Sequence, residues 1–382
     1  MNYDVKSVFR EIEKEEAKYI KFWENISNIE TVSDDKEALD GLVDFIQAFA
    51  VSEGFSVQRT PFEKCGDFLT IDMNEGAEKG YMFLAHMDTV HEKGKFGYPP
   101  VRIEENKMMG PGVLDCKGGI AVALLAMKSL KTLGYDKHLR LMLTSDEEIN
   151  NSLGGTKELE FIKNTVAGFK GAFNCEVGRK GGVVVARKGI LSLRIHIVGK
   201  SAHAGVDYFS GVSAIREAAY KIIELESKSK EGATTYNCGI IQGGDMFNIV
   251  PENCTISVDV RVKSLDEMET AYKVVEEVTA KSFVKGSRAE LQVVSRRMPM
   301  IRTKETNELF DKLREVSLTN GLGDLIPIET GGGSDSAYVQ LAGVPSVCAV
   351  GVCGDYCHTV NEYAEIDSLV KRAKLLAATT IA

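Results

Sequence analysis

The sequence predicts a two-domain α/β protein, and three observations lead to this prediction. The chain has 382 residues, more than one hydrophobic core usually serves. Residues 81–90 form an apolar run that ends in polar side chains, which is typical of a strand buried inside a mostly parallel sheet. From residue 188 to residue 298 the pattern changes to strand-helix-strand-strand-helix-strand, the order of a ferredoxin-like domain. We therefore predict a large domain over residues 1–187 and 299–382, with residues 188–298 inserted into it.

The large domain is expected to alternate helices with short buried strands. Apolar residues recur there at helical spacing, and between them lie apolar runs bounded by turn residues. Ligands bind beyond the carboxyl ends of the strands in open α/β sheets, so we expect chemistry at those ends. The predicted helices lie at residues 5–29, 34–52, 120–133 and 305–319, and the predicted strands at 55–59, 68–73, 81–86, 139–143, 171–175 and 344–350.

A glycine-rich segment at residues 110–119 precedes a helix of the large domain. It matches neither common phosphate-binding pattern, so we expect no phosphate site there.

The inserted domain has its own alternating pattern. In the inserted domain, the predicted strands lie at residues 190–198, 237–242, 255–262 and 290–295, and the predicted helices at 211–225 and 265–281.

The composition excludes several classes of partner. Hydrophobic residues make up 44% of the chain and charged residues 26%, as in ordinary globular proteins. The net charge of -9, with no cluster of basic residues, argues against a nucleic-acid partner. No apolar run is long enough to cross a membrane, and residues 1–21 lack the apolar stretch of a signal peptide, so we expect a cytoplasmic protein. The eight cysteines are expected to be mostly structural, free thiols.

Metal-ligating residue types recur at the ends of the apolar runs. Two imidazoles and several carboxylates form a nitrogen and oxygen ligand set suited to Zn²⁺, Mn²⁺ or Co²⁺. Mutual repulsion disfavours so many buried carboxylates without cations, and the set exceeds what one tetrahedral ion uses. A pair of ions bridged by a carboxylate is therefore predicted. The residues concerned are His86, Asp115, Glu147, Glu148, Glu176 and His358.

The motifs around these residues resemble those of a dizinc metallopeptidase family. This family includes glutamate carboxypeptidase, aminoacylase, acetylornithine deacetylase, succinyl-diaminopimelate desuccinylase and peptidase T. The resemblance runs in order from about residue 30 to the C-terminus, and it implies a zinc-peptidase-like mixed sheet flanked by helices, with an inserted ferredoxin-like lid that could support a homodimer. The motifs are His86-Met-Asp88, Gly-Val-Leu-Asp115-Cys-Lys-Gly-Gly, Ser-Asp-Glu147-Glu148, Cys-Glu176 and His358.

The resemblance also implies how the metal ligands are shared. Asp115 would bridge two Zn²⁺ ions, for which Mn²⁺ or Co²⁺ could substitute. His86 and Glu176 would complete one site, whereas Glu148 and His358 would complete the other.

Further roles follow from the same resemblance. Glu147 matches the general base, which takes a proton from the attacking water and delivers it to the leaving amine. Asp88 would orient His86, and a cis peptide bond is implied between Asp115 and Cys116. Three other histidines match no motif and are expected to be structural: His91, His138 and His196.

Substrate-binding positions are implied in both domains. His203 matches the residue that stabilises the oxyanion of the tetrahedral intermediate, from its own or a neighbouring subunit. Asn248 and Arg261 match positions of the lid that contact substrate, and Ser334 matches a substrate-binding hydroxyl of the large domain. Many relatives carry a basic residue just before this turn, where the chain has residues 330–331 (Thr-Gly), which puts the carboxylate pocket in doubt.

The resulting expectation is a metal-dependent hydrolase that cleaves an amide bond of a small peptide or N-acyl amino acid with a dimetal-activated water. Glutamate at position 176 favours the carboxypeptidase and deacylase branches of the family. A tripeptidase-like aminopeptidase is the alternative. A ureido or carbamoyl amidohydrolase and a non-catalytic metal-binding relative also remain open, as do the substrate, the physiological metal and the oligomeric state.

Overall fold

The computed structural model describes residues 3–382, which divide into two compact units. Unit 1 comprises Met1–Val185, Arg302–Glu329 and Ser334–Ala382, and unit 2 comprises Ala186–Ile301 and Thr330–Gly333. The predicted α/β architecture is confirmed.

The helices and strands follow the order expected from the sequence, with additions. The α-helices of the described residues are α1 (Val5–Ser27), α2 (Lys36–Ser52), α3 (Lys117–Thr132), α4 (Gly155–Val166), α5 (Ala214–Glu226), α6 (Leu265–Ala280), α7 (Lys304–Thr319), α8 (Ser336–Leu341) and α9 (Ser368–Ile381). The strands are β1 (Ser56–Thr60), β2 (Phe68–Met73), β3 (Lys79–His86), β4 (Arg102–Glu104), β5 (Lys107–Met109), β6 (His138–Thr144), β7 (Gly171–Asn174), β8 (Gly182–Arg187), β9 (Gly189–Val198), β10 (Ala202–His203), β11 (Thr235–Gly243), β12 (Ile249–Val250), β13 (Asn253–Val262), β14 (Arg288–Arg297), β15 (Ile326–Thr330), β16 (Ser346–Cys348), β17 (Gly354–Asp355) and β18 (Tyr363–Glu365).

An eight-stranded mixed sheet forms the centre of unit 1. Its strand order is β1-β2-β6-β3-β7-β16-β8-β15. The neighbouring strands β6, β3, β7 and β16 run parallel, while β1, β2 and β8 pair antiparallel with their neighbours. Because the four central strands run in one direction, their carboxyl ends lie along one edge of the sheet.

Helix α3 packs against this sheet unusually closely at its first turn. A Cβ atom at Gly119 would lie 1.9 Å from the carbonyl oxygen of Cys175, just beyond β7, so only glycine fits there. The rest of α3 is almost completely buried, and the Trp23 indole of α1 donates a hydrogen bond of 2.9 Å to the Val113 carbonyl. The glycine-rich segment therefore serves close packing of helix on sheet.

Several short elements were not predicted. Strands β4, β5, β17 and β18 form a separate four-stranded sheet in the order β17-β18-β5-β4. Each has two or three residues, too few to show an alternating pattern, and they come from distant parts of the chain. Strands β8 and β15 and helices α4 and α9 are further additions, and β16 is shorter than the run at residues 344–350 indicated.

Unit 2 has the predicted strand-helix-strand-strand-helix-strand order. Strands β9, β11, β13 and β14 form an antiparallel sheet in the order β11-β13-β9-β14, and α5 and α6 pack on it. This is the strand order of a ferredoxin-like domain. Along β9 and β13 buried side chains alternate with partly exposed ones, which places one face of the sheet against the two helices.

No helix within residues 3–382 is both long enough and apolar enough to cross a membrane.

Candidate active site

The parallel strands bring three predicted polar segments to one edge of the sheet. His86 is the last residue of β3 and pairs with Thr144 at the end of β6. Just beyond β6, Glu147 begins a short 3-10 turn that also contains Glu148, and Glu176 follows β7 closely. The side chains of His86, Glu147, Glu148 and Glu176 therefore lie at or just beyond the carboxyl ends of adjacent strands.

The Asp115 carboxylate lies between two histidines. One of its oxygens, Oδ1, is 3.1 Å from His86 Nε2, and the other, Oδ2, is 3.2 Å from His358 Nε2. The same nitrogen of His358 is 3.2 Å from a Glu148 oxygen, and His86 Nε2 is 3.9 Å from a Glu176 oxygen. Asp115 thus presents one carboxylate oxygen to His86 and the other to His358.

This arrangement fits a pair of divalent cations. Two sets of three residues each have donor atoms that all lie within 4.8 Å of one another. Both sets contain His86, which is joined by Asp115 and Glu148 in the first and by Glu147 and Glu176 in the second. All are nitrogen or carboxylate oxygen donors, the ligand types that Zn²⁺ and Mn²⁺ bind.

The electrostatics of the cluster also favour cations. Burial, and next the negative charge of Asp115, raise the pKa of Glu148. Hydrogen bonds to Asp115 and Glu148 raise the pKa of His358. Burial alone would raise the pKa of Asp115, but its hydrogen bonds with the two histidines hold it well below the usual range. Crowded acids of this kind are stabilised by bound positive charge.

Asp88 fixes both a histidine and the turn beyond β6. His86 Nδ1 is 3.0 Å from the Asp88 carbonyl oxygen and 3.3 Å from its carboxylate, so Nδ1 donates to Asp88 and the ring is held with Nε2 facing Asp115. The Asp88 carboxylate also accepts hydrogen bonds from the backbone N–H groups of Glu147 (3.2 Å) and Glu148 (3.1 Å). A fourth partner is the Ser33 hydroxyl at 2.7 Å, and the sequence did not predict this contact with Asp88.

The peptide bond between Asp115 and Cys116 is cis, as the resemblance implied. Glu362, which sequence analysis did not single out, supports this segment. Its buried carboxylate accepts hydrogen bonds from the backbone N–H groups of Leu114 (2.9 Å) and Asp115 (3.1 Å). Its other oxygen is 2.6 Å from Nε2 of His91.

His91 has a structural role, as expected, because it pairs with Glu362, which in turn holds the backbone before Asp115. The only sequence signal was an acid four residues after His358. Two other histidines are structural, as expected: His138 pairs with Asp72 at 2.6 Å, and His196 contacts Thr255 within the sheet of unit 2.

In unit 2, the geometry of His203 defines its tautomer. Nδ1 accepts hydrogen bonds from the backbone N–H groups of Gly205 (3.1 Å) and Val206 (3.2 Å), so a neutral ring carries its proton on Nε2. Asn248 lies beside it, because its carbonyl oxygen accepts a hydrogen bond of 2.9 Å from the Ala204 N–H. His203 can therefore donate a hydrogen bond from an exposed position.

The remaining two predicted residues are less open to a ligand. Arg261 forms a bidentate pair with Asp259, at 2.7 and 3.0 Å, and donates a third hydrogen bond to the Gly331 carbonyl. Ser334 of unit 1 is fully buried, and its hydroxyl contacts the sulfur of Cys348 at 3.6 Å.

Comparisons with known proteins find similar sequences and similar folds along nearly the whole chain. Over 382 aligned residues the chain is 29% identical to carboxypeptidase G2 of Pseudomonas sp. (strain RS-16), covering 97% of this chain and 90% of that protein. A tripeptidase from Staphylococcus aureus superimposes with a TM-score of 0.79 at 22% identity, covering 96% and 97% of the two chains. The YXEP protein of Bacillus subtilis, a dinuclear metal-binding peptidase, superimposes with a TM-score of 0.69 at 16% identity, covering 97% and 98%.

The family assignment follows from the sequence itself. Residues 82–382, which include every motif residue discussed above, match the model of one family along most of the chain. The chain belongs to the peptidase family M20/M25/M40.

Proposed function

We propose that this protein is a metal-dependent hydrolase that cleaves an amide bond of a small peptide or N-acyl amino acid, as a carboxypeptidase or deacylase. The observation that carries the proposal is the Asp115 carboxylate, which offers one oxygen to His86 and the other to His358. Glu148 and Glu176 lie beside these two histidines. A carboxylate so placed between two ligand groups suits a bridge between two cations.

In this proposal Asp115 would be shared by two Zn²⁺ ions, for which Mn²⁺ or Co²⁺ could substitute. His86 and Glu176 would complete one ligand set, and Glu148 and His358 would complete the other. When bound, the cations would polarise the scissile carbonyl and make a water molecule more acidic. Asp88 keeps the lone pair of His86 Nε2 directed at its ligand position, because Nδ1 is held by the Asp88 backbone and carboxylate.

Glu147 acts as the general base and then as the general acid. It takes a proton from water as the water oxygen bonds to the carbonyl carbon, and it gives that proton to the amide nitrogen as the carbon–nitrogen bond breaks. Its backbone is fixed by the hydrogen bond to Asp88, and its buried side chain belongs to the same donor group as His86 and Glu176. A buried carboxylate held next to metal ligands suits this double role.

His203 is proposed to stabilise the oxyanion. Because its Nδ1 is occupied by backbone N–H groups, Nε2 is the donor that can point at developing negative charge. Asn248, Arg261 and Ser334 are proposed substrate contacts. Arg261 would keep Asp259 as its partner while it binds a substrate carboxylate, so it is expected to contribute less than an unpaired arginine would.

Unit 2 is proposed to work as a lid and as a dimerisation domain. Strand β11 is an edge strand of its sheet, and its side chains Ile240 and Ile241 are exposed. Tyr220 and Ile223 of α5 are exposed as well. An exposed edge strand with apolar neighbours commonly pairs with a second copy of the same chain. The protein is further proposed to work in the cytoplasm, because all eight of its cysteines are free thiols.

The carboxypeptidase or deacylase branch is tested against the aminopeptidase branch with two sets of substrates. One set has a blocked amino end and a free carboxylate, such as N-acetyl amino acids, and the other has a free amino end and an amidated carboxyl end. Products are followed by mass spectrometry with added zinc, manganese or cobalt. We expect cleavage of the first set only. The similarity to carboxypeptidase G2 favours this result, whereas the likeness to a tripeptidase keeps the alternative in view.

Paired variants make the assay specific to this site. Glu147→Gln should lose hydrolysis while it still binds metal. Glu160→Gln, an exposed glutamate on α4, is the matched control and should hydrolyse normally. If the metal-loaded protein cleaves neither set, the proposed function is wrong. Cleavage of the second set alone would transfer the proposal to an aminopeptidase.

A further inference from the structure

Unit 1 contains a cavity of about 580 Å³ that the proposed reaction does not use. It is lined by the start of α9, the end of α7 and the loops around residues 180 and 323. Its charged lining residues are Lys180, Asp324, Glu365, Asp367, Lys371 and Arg372. Most of these charged groups form ion pairs, and Arg372 is the exception.

Arg372 is buried without an acidic partner. Its side chain is 6% exposed, and its Nη2 atom donates to the Arg179 carbonyl at 2.5 Å and to the Cys353 sulfur at 3.2 Å. Among the residues that the structure describes, no carboxylate forms an ion pair with this guanidinium, and no acceptor hydrogen-bonds its Nε and Nη1 atoms. A buried cation that lacks an opposite charge is strongly unfavourable.

The acids around the cavity are already neutralised by other groups. Glu365 pairs with Lys180 at 2.6 Å, and Asp367 pairs with Lys371 at 2.5 Å. Asp324 pairs with an arginine outside the cavity lining, Arg314, at 2.7 Å. Arg372 is thus the lining cation whose charge no neighbouring acid offsets.

We infer that the cavity binds a small oxyanion, a carboxylate or a phosphate, on Arg372. The guanidinium is planar and matches two oxygens of either group. Lys180 and Lys371 at the cavity wall would add long-range attraction, although each already has an acidic partner. This inference is independent of the proposed function, since no residue of the metal cluster lines the cavity.

The bound anion would also brace two segments that lead to the metal cluster. Arg179 follows Glu176 closely in sequence, and Cys353 precedes His358. The two segments are joined to each other, because Gly178 N–H donates to the Val352 carbonyl at 2.8 Å. An anion bound to Arg372 would hold the guanidinium in place against both segments. Anion binding is therefore expected to stabilise the folded protein.

The test is the melting temperature of the metal-loaded full chain in sodium phosphate or sodium acetate, with sodium chloride at matched ionic strength as the reference. We expect a saturable rise of about 2 to 4 °C with at least one of the two oxyanions. The stronger response identifies phosphate or carboxylate as the preferred class. The rise should disappear in Arg372→Met, which keeps the length of the side chain but removes its charge. Arg314→Met, which removes an exposed arginine next to the cavity, should keep it.

Because Arg372→Met could fail to fold, a second measurement uses the unaltered protein. Phosphate or acetate should slow the alkylation of Cys353 several-fold, whereas Cys238 in unit 2 should react at the same rate with and without the anion. Peptide mapping by mass spectrometry separates the two thiols. The inference is overturned if neither oxyanion changes the melting temperature or the Cys353 rate. A response that persists in folded Arg372→Met would also overturn it, because the anion would then bind elsewhere, such as at the metal ions.

Discussion

Replacing Glu362 with alanine is expected to weaken metal binding although Glu362 does not belong to the metal cluster. The carboxylate holds the backbone N–H groups of Leu114 and Asp115, and therefore fixes where the Asp115 side chain begins. It also holds His91, in the loop that follows His86. Loss of this support should leave the cluster chemically complete but poorly positioned.

The magnitude follows from the contacts that are lost. Alanine leaves two buried N–H groups without an acceptor, at a cost of about 1–3 kcal/mol each, so Glu362→Ala should lower the free energy of unfolding by about 2–6 kcal/mol. Glu362→Gln keeps one oxygen for both N–H groups but loses the charge and replaces the oxygen that faces His91 with an NH2 group, which should cost about 1–2 kcal/mol. Removing a partner that orients metal ligands typically lowers metal affinity about 10- to 100-fold, and we expect this range for alanine.

The assay is competition for Zn²⁺ against a chromogenic chelator, at a temperature where both variants are folded by circular dichroism. Glu92→Ala is the matched control, because it removes an exposed carboxylate next to His91 that pairs only with Lys95. The expected order of zinc affinity is wild type and Glu92→Ala, then Glu362→Gln, then Glu362→Ala. A folded Glu362→Ala that binds zinc as tightly as the wild type would refute the reasoning.

Three further predictions concern catalysis and pH. Glu147→Gln should lower kcat by about 10²- to 10⁴-fold with unchanged zinc stoichiometry, and loss of zinc in this variant would assign Glu147 to binding instead. His203→Ala should lower kcat by about 10²- to 10³-fold and leave zinc affinity intact, and a change confined to KM would contradict an oxyanion role. Burial, and then the charges of Asp146 and Asp335, raise the pKa of Glu158, so the folded protein favours the protonated acid and loses stability as the pH rises above about 4.5. The free energy of unfolding of Glu158→Gln minus that of the wild type should therefore increase from pH 5 to pH 8 by more than about 1.4 kcal/mol, as measured by urea unfolding. An equal difference at both pH values would exclude this coupling.

The sequence was most informative where one strand is buried on both faces. The run before His86 indicated a central strand, and the same pattern located β6 and β7, so their polar ends could be expected at one edge of the sheet. The alternating pattern of β9 and β13 likewise identified the ferredoxin-like unit. These features are local, because a few adjacent residues carry the whole signal.

Long-range pairings were not predictable in this way. Glu362 and His91 are separated by 271 positions, and neither lies in a pattern that indicates burial or pairing. Ser33 reaches Asp88 across 55 positions for the same reason. Short strands such as β17 and β18 exist because partners are available in the folded chain, so a single sequence carries little sign of them.

The position of β16 in the sheet has a consequence for the synthesis of the protein. This strand comes from residues near 346, yet it lies between β7 and β8, which are formed from residues 171–187. Until the ribosome has released β16, the nascent chain keeps an open seam through the middle of its largest sheet, because β7 and β8 lack a partner on the sides that β16 later fills. A prematurely terminated chain would keep that seam permanently, and cellular proteases and chaperones could recognise it before it ever acquired a metal cluster.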